Sequence, residues 1–321
     1  MSKYTNYTNQ MRNAMKNQTY WTERDKSQKQ WILQHIADDE SFNKQLEAHY
    51  RSAYSYIQQE VDSTLMKYTD RLLSQYPTNR NDVALFNAKV TAILSDLKGS
   101  VKTDTYNEAA NRIKLYKVMA PYNQLELLKS GIGLQLVKNG ANIDQMMYDH
   151  LLRDYAKEEQ HDADILGLFI KSRTDPEIVG TIMKATYGAT YSQRLWHDTD
   201  KLKARLDYLL VNSEIAGTSY TKTAQKLRKQ LADVTTISKN SAERLIRTES
   251  ARVETQATIN LAHKQGISFF KWFAEPTACK VCADIADYDD GYGRGVYPER
   301  DLPILPVHTN CRCSIAPYWR N

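Results

Sequence analysis

The chain has 321 residues, of which 41% are hydrophobic and 25% charged, and its formal net charge is +5. That balance belongs to an ordinary globular protein with room for two or three domains. It excludes wholesale disorder, a collagen-like repeat and a disulfide-stapled miniprotein. No apolar run approaches the ~18 residues of a membrane span, and Met1–Asn13 has no apolar stretch of the secretory kind, so a soluble protein of the cytoplasm that makes it is expected.

In chain order, residues 1–20 are polar and aperiodic, and read as a loose tail. Helix is expected from Trp21 onward. Its clearest stretch is Asp39–Leu73, where Phe42, Leu46, Tyr50, Tyr54, Ile57, Val61, Leu65, Tyr68 and Leu72 recur at steps of three or four. Tyrosine is frequent on that face, which suits either a core or a half-wet contact with a partner. Tyr76-Pro77 marks a turn. Helical pattern resumes at Val83–Leu97 and Tyr106–Met119, then at Leu125–Val137 and Ile143–Ala156. Asp175-Pro176 is a helix-start signal. Residues 21–200 therefore form a helical region.

Charge then becomes uneven. Residues 201–240 hold eight basic and three acidic side chains, while the rest of the chain balances. The cations Lys201, Lys203, Arg205, Lys222, Lys226, Arg228 and Lys229 share this segment with Leu202, Leu206, Leu209 and Leu210 at helical spacing. They read as a solvated helix face, or as non-specific contacts to the backbone of double-stranded DNA. Gly217-Thr218-Ser219 breaks the pattern before a helix at Tyr220–Leu231. A long helix, Ser241–Lys264, ends at Gly266. It carries Arg247-Thr248-Glu249, and the spacings Glu243–Arg247 and Glu249–Arg252 suit structural ion pairs. Ile267–Phe273 alternates and is aromatic, which predicts a strand.

All four cysteines and five of the eight prolines lie in the last 46 residues. The pattern is Cys279-x2-Cys282, then 25 residues, then His308-x2-Cys311-x-Cys313. A Cys-x2-Cys turn aims two thiolates at one ion, and a second pair brought back by a loop completes a tetrahedral site, so a structural zinc is expected. Free cysteines and disulfides are the rival readings, and a reducing cytosol disfavours the latter. Five donors compete for four positions. An extended Cys311-x-Cys313 is expected to turn its thiols to opposite faces, so Cys279, Cys282, His308 and Cys311 are favoured, with Cys313 the alternative fourth ligand. Asp284, Asp287, Asp289, Asp290 and Gly291 miss calcium-loop spacing and read as an acidic surface loop.

The order of these motifs resembles the Mu F-like minor head proteins, or head morphogenesis proteins, of tailed bacteriophages. It comprises Arg247-Thr248-Glu249 on a long helix, an aromatic strand, Thr277-Ala-Cys-Lys-Val-Cys282, Leu302-Pro303 and His308-Thr-Asn-Cys-Arg-Cys313. The resemblance covers roughly residues 200–317, and is fainter in the helical half with its Tyr20-Trp21. It implies a non-enzymatic virion protein, carried inside the head near the portal vertex. Its implied partners are the portal protein, capsid or scaffold proteins and DNA, and its roles are head morphogenesis and DNA packaging or ejection. Pro317 is followed by four residues, so the toxin domains that some relatives append are not expected. A zinc-containing nucleic-acid-binding protein or nuclease is the alternative. The expected architecture is mainly α, a long helical N-terminal region followed by a smaller α+β C-terminal domain. Its parts are a tail at 1–20, a docking region at 21–200 and a C-terminal domain at 201–321, with the metal knot at 277–317.

Overall fold

The computed structural model describes residues 18–68, 71–170, 176–186, 188–215 and 220–319; the side chains of 18–22, 213–215, 220–224 and 226 lie outside that description. Most of the expected tail, the Gly217-Thr218-Ser219 break, Asp175 and the side chains of Lys222 and Lys226 therefore fall outside it.

Eight α-helices and three strands follow in order among the described residues. They are α1 Gln18–Lys67, α2 Arg80–Leu97, α3 Thr103–Met119, α4 Gln124–Leu166, α5 Pro176–Ile182, α6 Tyr191–Ile215 and α7 Tyr220–Lys264, then β1 Phe269–Phe273, α8 Lys280–Asp287, β2 Val296–Pro298 and β3 Ser314–Pro317. The mainly α architecture with a small C-terminal sheet and a Cys/His cluster is as the sequence predicts. Two helices are longer than expected. The stretches predicted at 125–137 and 143–156 are one helix, α4, and those at 220–231 and 241–264 are one helix, α7.

The chain divides into two compact units. One gathers Met1–Phe42, Tyr148–Tyr191 and Arg244–Asn321, and the other gathers Asn43–Met147 and Ser192–Glu243. Each is built from non-contiguous stretches, so neither corresponds to a single cut of the chain near residue 200.

The second unit is all helix. Ile57 and Val61 of α1 pack with Leu128, Ile132 and Leu136 of α4, Leu206 and Leu210 of α6, and Leu227 and Leu231 of α7. Tyr54, Leu65 and Tyr68 lie against this core, so the tyrosine-rich face of α1 is largely spent on its own unit. A second cluster joins Phe86, Val90 and Leu97 of α2 to Ala109 and Ile113 of α3 and to Leu134, Val137 and Trp196. Asn79 caps α2, its side chain accepting from the Asp82 amide at 2.9 Å. Gly133, in the middle of α4, is explained by packing. A Cβ there would lie 2.6 Å from the Tyr116 ring.

The first unit holds the sheet. β1 is central, antiparallel to β2 on one side and β3 on the other. Its alternation buries Phe270 and Trp272 among Leu261, Ile267, Tyr297, Leu305 and Ile315, together with Cys282, Cys311 and Cys313. The cysteines thus sit at the edge of a dry core that the aromatic strand supplies. Gly295 holds a positive φ of 71° beside the Ala286 and Trp272 carbonyls, its amide donating to Tyr288 O and its carbonyl accepting from Trp272 N at 2.8 Å. A side chain there would strike backbone, which fixes glycine at this turn.

Candidate metal centre

Cys279 is the N-cap of α8, and Cys282 lies in that helix's first turn. The helix start therefore presents both sulfurs together, with the Cys279 thiol held below its usual range by the Cys282 backbone amide. His308 arrives on the loop after Pro303 and Pro306. Its Nδ1 lies 2.9 Å from the Thr309 carbonyl, which fixes that nitrogen as the donor and leaves the Nε2 lone pair free. Nε2 points at the pair, 3.4 Å from Cys279 Sγ and 3.3 Å from Cys282 Sγ. Cys311 Sγ lies 3.9 Å from Cys282 Sγ, and all four thiols are free of disulfides.

These spacings fit a metal. Bonds of about 2.3 Å to sulfur and about 2.1 Å to nitrogen put tetrahedral zinc ligands about 3.8 Å apart for S···S and about 3.6 Å for S···N. Burial and the neighbouring Cys311 push the Cys282 thiol up to about 12, whereas the hydrogen bond from Cys313 brings Cys311 down to about 5. A bound cation would let the raised Cys282 thiol ionise as well.

One expectation is corrected here. Cys311 and Cys313 do not diverge. Both are buried and both belong to a triad with Cys282. Residues two apart on an extended chain share a face, and it is Arg312 between them that points the other way. Cys313 is thus as well placed as Cys311.

The Arg247-Thr248-Glu249 motif reaches this site through its backbone. Asn310, between His308 and Cys311, has a left-handed φ of 70°. The Arg247 Nε–H donates to the Asn310 carbonyl at 3.0 Å, and the Asn310 amide donates to Thr248 Oγ1 at 2.9 Å. Arg247 is fixed in turn by Glu275 at 2.7 Å, rather than by the expected Glu243, which lies 3.5 Å from Lys239. Glu249 is buried and pairs with Arg252, as its spacing suggests, and Arg252 donates to the Thr181 and Ile182 carbonyls at the end of α5. Arg247 and Thr248 clamp the ligand-bearing turn, and Glu249 anchors the helix that carries them.

Sequence reasoning misses a second constellation in the same unit. Arg312 is buried against Asp39 of α1, at 2.9 and 3.2 Å, and against Glu254 of α7. Glu254 also faces His35 Nδ1 at 2.8 Å, and His35 Nε2 lies 3.1 Å from Glu158 of α4. Trp31 donates to Glu158 at 2.6 Å and Ser250 to Asp154 at 2.5 Å. Burial alone would lower His35, but Glu254 and Glu158 on either side carry it up to about 10, so it is an imidazolium bridging two carboxylates. Burial raises Asp154 to about 7 and, against the pull of Arg312, Asp39 to about 6. The signal was present as charged residues recurring every four positions, at His35 and Asp39 and again at His150, Asp154, Glu158 and Asp162.

Three cations of the basic segment have acidic partners. Lys203 is buried beside Asp207, Lys201 lies 3.7 Å from Asp198, and Arg228 lies 2.9 Å from Asp62. Arg205 stacks over Tyr208, and Lys229 is exposed. In the acidic loop Asp289 accepts from the Gly291 and Gly293 amides, both at 2.9 Å, which makes it a turn-former.

No family model, curated protein or solved structure matches the chain. No described helix is long and apolar enough to cross a membrane.

Proposed function

We propose that this chain is a minor structural protein of a tailed-phage head, of the Mu F-like kind, bound near the portal and acting in head morphogenesis and DNA packaging or ejection. The observation that carries the proposal is the clamp on Asn310. The two motifs on which the resemblance rests, 60 residues apart in sequence, meet as one object, with Arg247 and Thr248 gripping the turn between His308 and Cys311. In this reading the metal is a structural zinc held by Cys279, Cys282 and His308, with Cys311 or Cys313 as the fourth ligand. Protein donors fill all four positions, which suits a staple rather than a catalyst. Portal and capsid or scaffold proteins are the partners, and the virion interior is the location. The pairing of Lys201, Lys203 and Arg228 leaves contact with DNA a minor, salt-sensitive component.

Two experiments test this. Tagged protein expressed with the structural genes of its phage should co-purify with portal protein and procapsids; its exclusion from every assembly intermediate would defeat the proposal. Purified protein should hold one zinc per chain by elemental analysis, and Cys279→Ser should release it. Full-length protein that stays metal-free in zinc-supplemented buffer would defeat the metal reading.

A further inference from the structure

The fifth donor has no place in a single tetrahedral site, and the geometry does not treat it as spare. The donor atoms of the knot fall into two overlapping triads, each with all its ligand atoms within 4.8 Å of one another. One is Cys279, Cys282 and His308; the other is Cys282, Cys311 and Cys313. Cys282 is the member common to both, and a thiolate sulfur has lone pairs enough to bridge two ions. The triads differ in setting. Cys279 and His308 are exposed, whereas Cys282, Cys311 and Cys313 are buried among Trp272, Ile315 and Leu305. The outer triad mixes sulfur with imidazole, and the inner one is all sulfur.

Zinc, which takes four ligands, must draw on both triads and leave one donor out. A soft monovalent ion with a preference for few thiolate ligands has no such need. Cuprous copper is selected by soft sulfur donors, and three ligands in a plane complete its shell. Three sulfurs about 2.2 to 2.3 Å from such an ion would lie about 3.9 Å apart, which is the spacing between Cys282 and Cys311. Each triad thus offers three donors to one ion, although the 3.3 and 3.4 Å between His308 Nε2 and its two sulfurs would have to open slightly around copper. The exposed outer triad gives ions a way in.

We propose that the knot is a binuclear soft-metal centre, holding two Cu(I) ions bridged by Cys282 Sγ, one in the Cys279–Cys282–His308 triad and one in the Cys282–Cys311–Cys313 triad. The proposal rests on the reading of the knot as a metal site, but puts two coppers where that reading has one zinc and makes Cys313 a ligand.

The test is an anaerobic titration of full-length, reduced protein with Cu(I) supplied from a chromogenic chelator complex, read by chelator absorbance and native mass spectrometry, with a parallel zinc titration. Wild-type protein should take two Cu(I) but one zinc. Cys313→Ser should take one Cu(I) and still one zinc, with its folding checked by near-ultraviolet dichroism; Cys313→Ala serves if the serine variant does not fold. Saturation of wild type at one copper, or two coppers retained without Cys313, overturns the binuclear centre while leaving the single-zinc reading intact. Failure to bind either metal would instead remove the metal reading itself.

Discussion

At the scale of single residues, the buried charges of the first unit carry the sharpest consequences. His35 holds its proton because Glu158 and Glu254 flank it. His35→Gln would leave two buried carboxylates without their shared cation, and such a loss costs about 3–5 kcal/mol. Urea unfolding should register it as a large drop in midpoint with little change in slope. Asp154 behaves in the opposite sense to a salt-bridged aspartate. Its folded pKa of about 7 lies above its ordinary value, so the folded state takes up its proton first. Its contribution to stability is greatest below about pH 4, and is lost as pH rises through 7. Asp154→Asn should flatten the stability profile between pH 4 and 7 and raise stability at pH 8. A profile unchanged by the substitution would disprove the assignment. Asn310 is a smaller case. Asn310→Gly should fold with the metal bound, because glycine accepts its φ of 70° and the Arg247 and Thr248 contacts are to backbone. Thr248→Val removes an acceptor and should loosen the metal, raising the zinc dissociation constant severalfold in a chelator competition.

At the scale of elements, packing decides where the sequence pattern misleads. Gly140 falls between the two runs expected within α4, and a Cβ there would come within 3.2 Å of Trp196. The glycine is there for close contact, and the helix runs through it. Thr235 and Thr236 weaken the pattern of α7 in the same way, but their hydroxyls return to the Leu231 and Ala232 carbonyls at 2.7 and 2.9 Å. Gly133→Ala tests the argument at its tightest point. Helix propensity favours alanine by about 1 kcal/mol, whereas overpacking at the 2.6 Å approach to Tyr116 costs about 1–3 kcal/mol, a net loss of up to about 2 kcal/mol. A raised melting temperature would refute the packing account. Periodicity made the helix types, the aromatic strand and the Cys/His donors legible. It could not reveal the clamp on Asn310 or the Arg312 network, because those are pairings between distant segments, and a charge at helical spacing looks the same whether it faces water or another helix.

At the scale of the whole molecule, two cores with different chemistry divide the chain. The second unit is held by aliphatic and aromatic packing among helices. The first combines a small sheet, a buried ionic network and the thiol cluster. Chelation should therefore act on one core more than the other. Hydrogen exchange in metal-free protein is expected to rise across residues 267–317 while the Ile57, Ile132 and Leu206 neighbourhoods stay protected. Uniform loss of protection would mean that the metal stabilises the entire chain.

The bond between Asp39 and Arg312 spans 273 residues. Ribosomes add roughly 5–20 residues per second, so α1 is synthesised roughly 14 to 55 seconds before its cation exists. Until then the acidic face of α1 has no Arg312 to close on, and a nascent chain stalled before residue 312 holds a helix without its latch. The Cys-Arg-Cys segment therefore brings two sulfurs of the candidate metal centre and the cation of the ionic network into the first unit together.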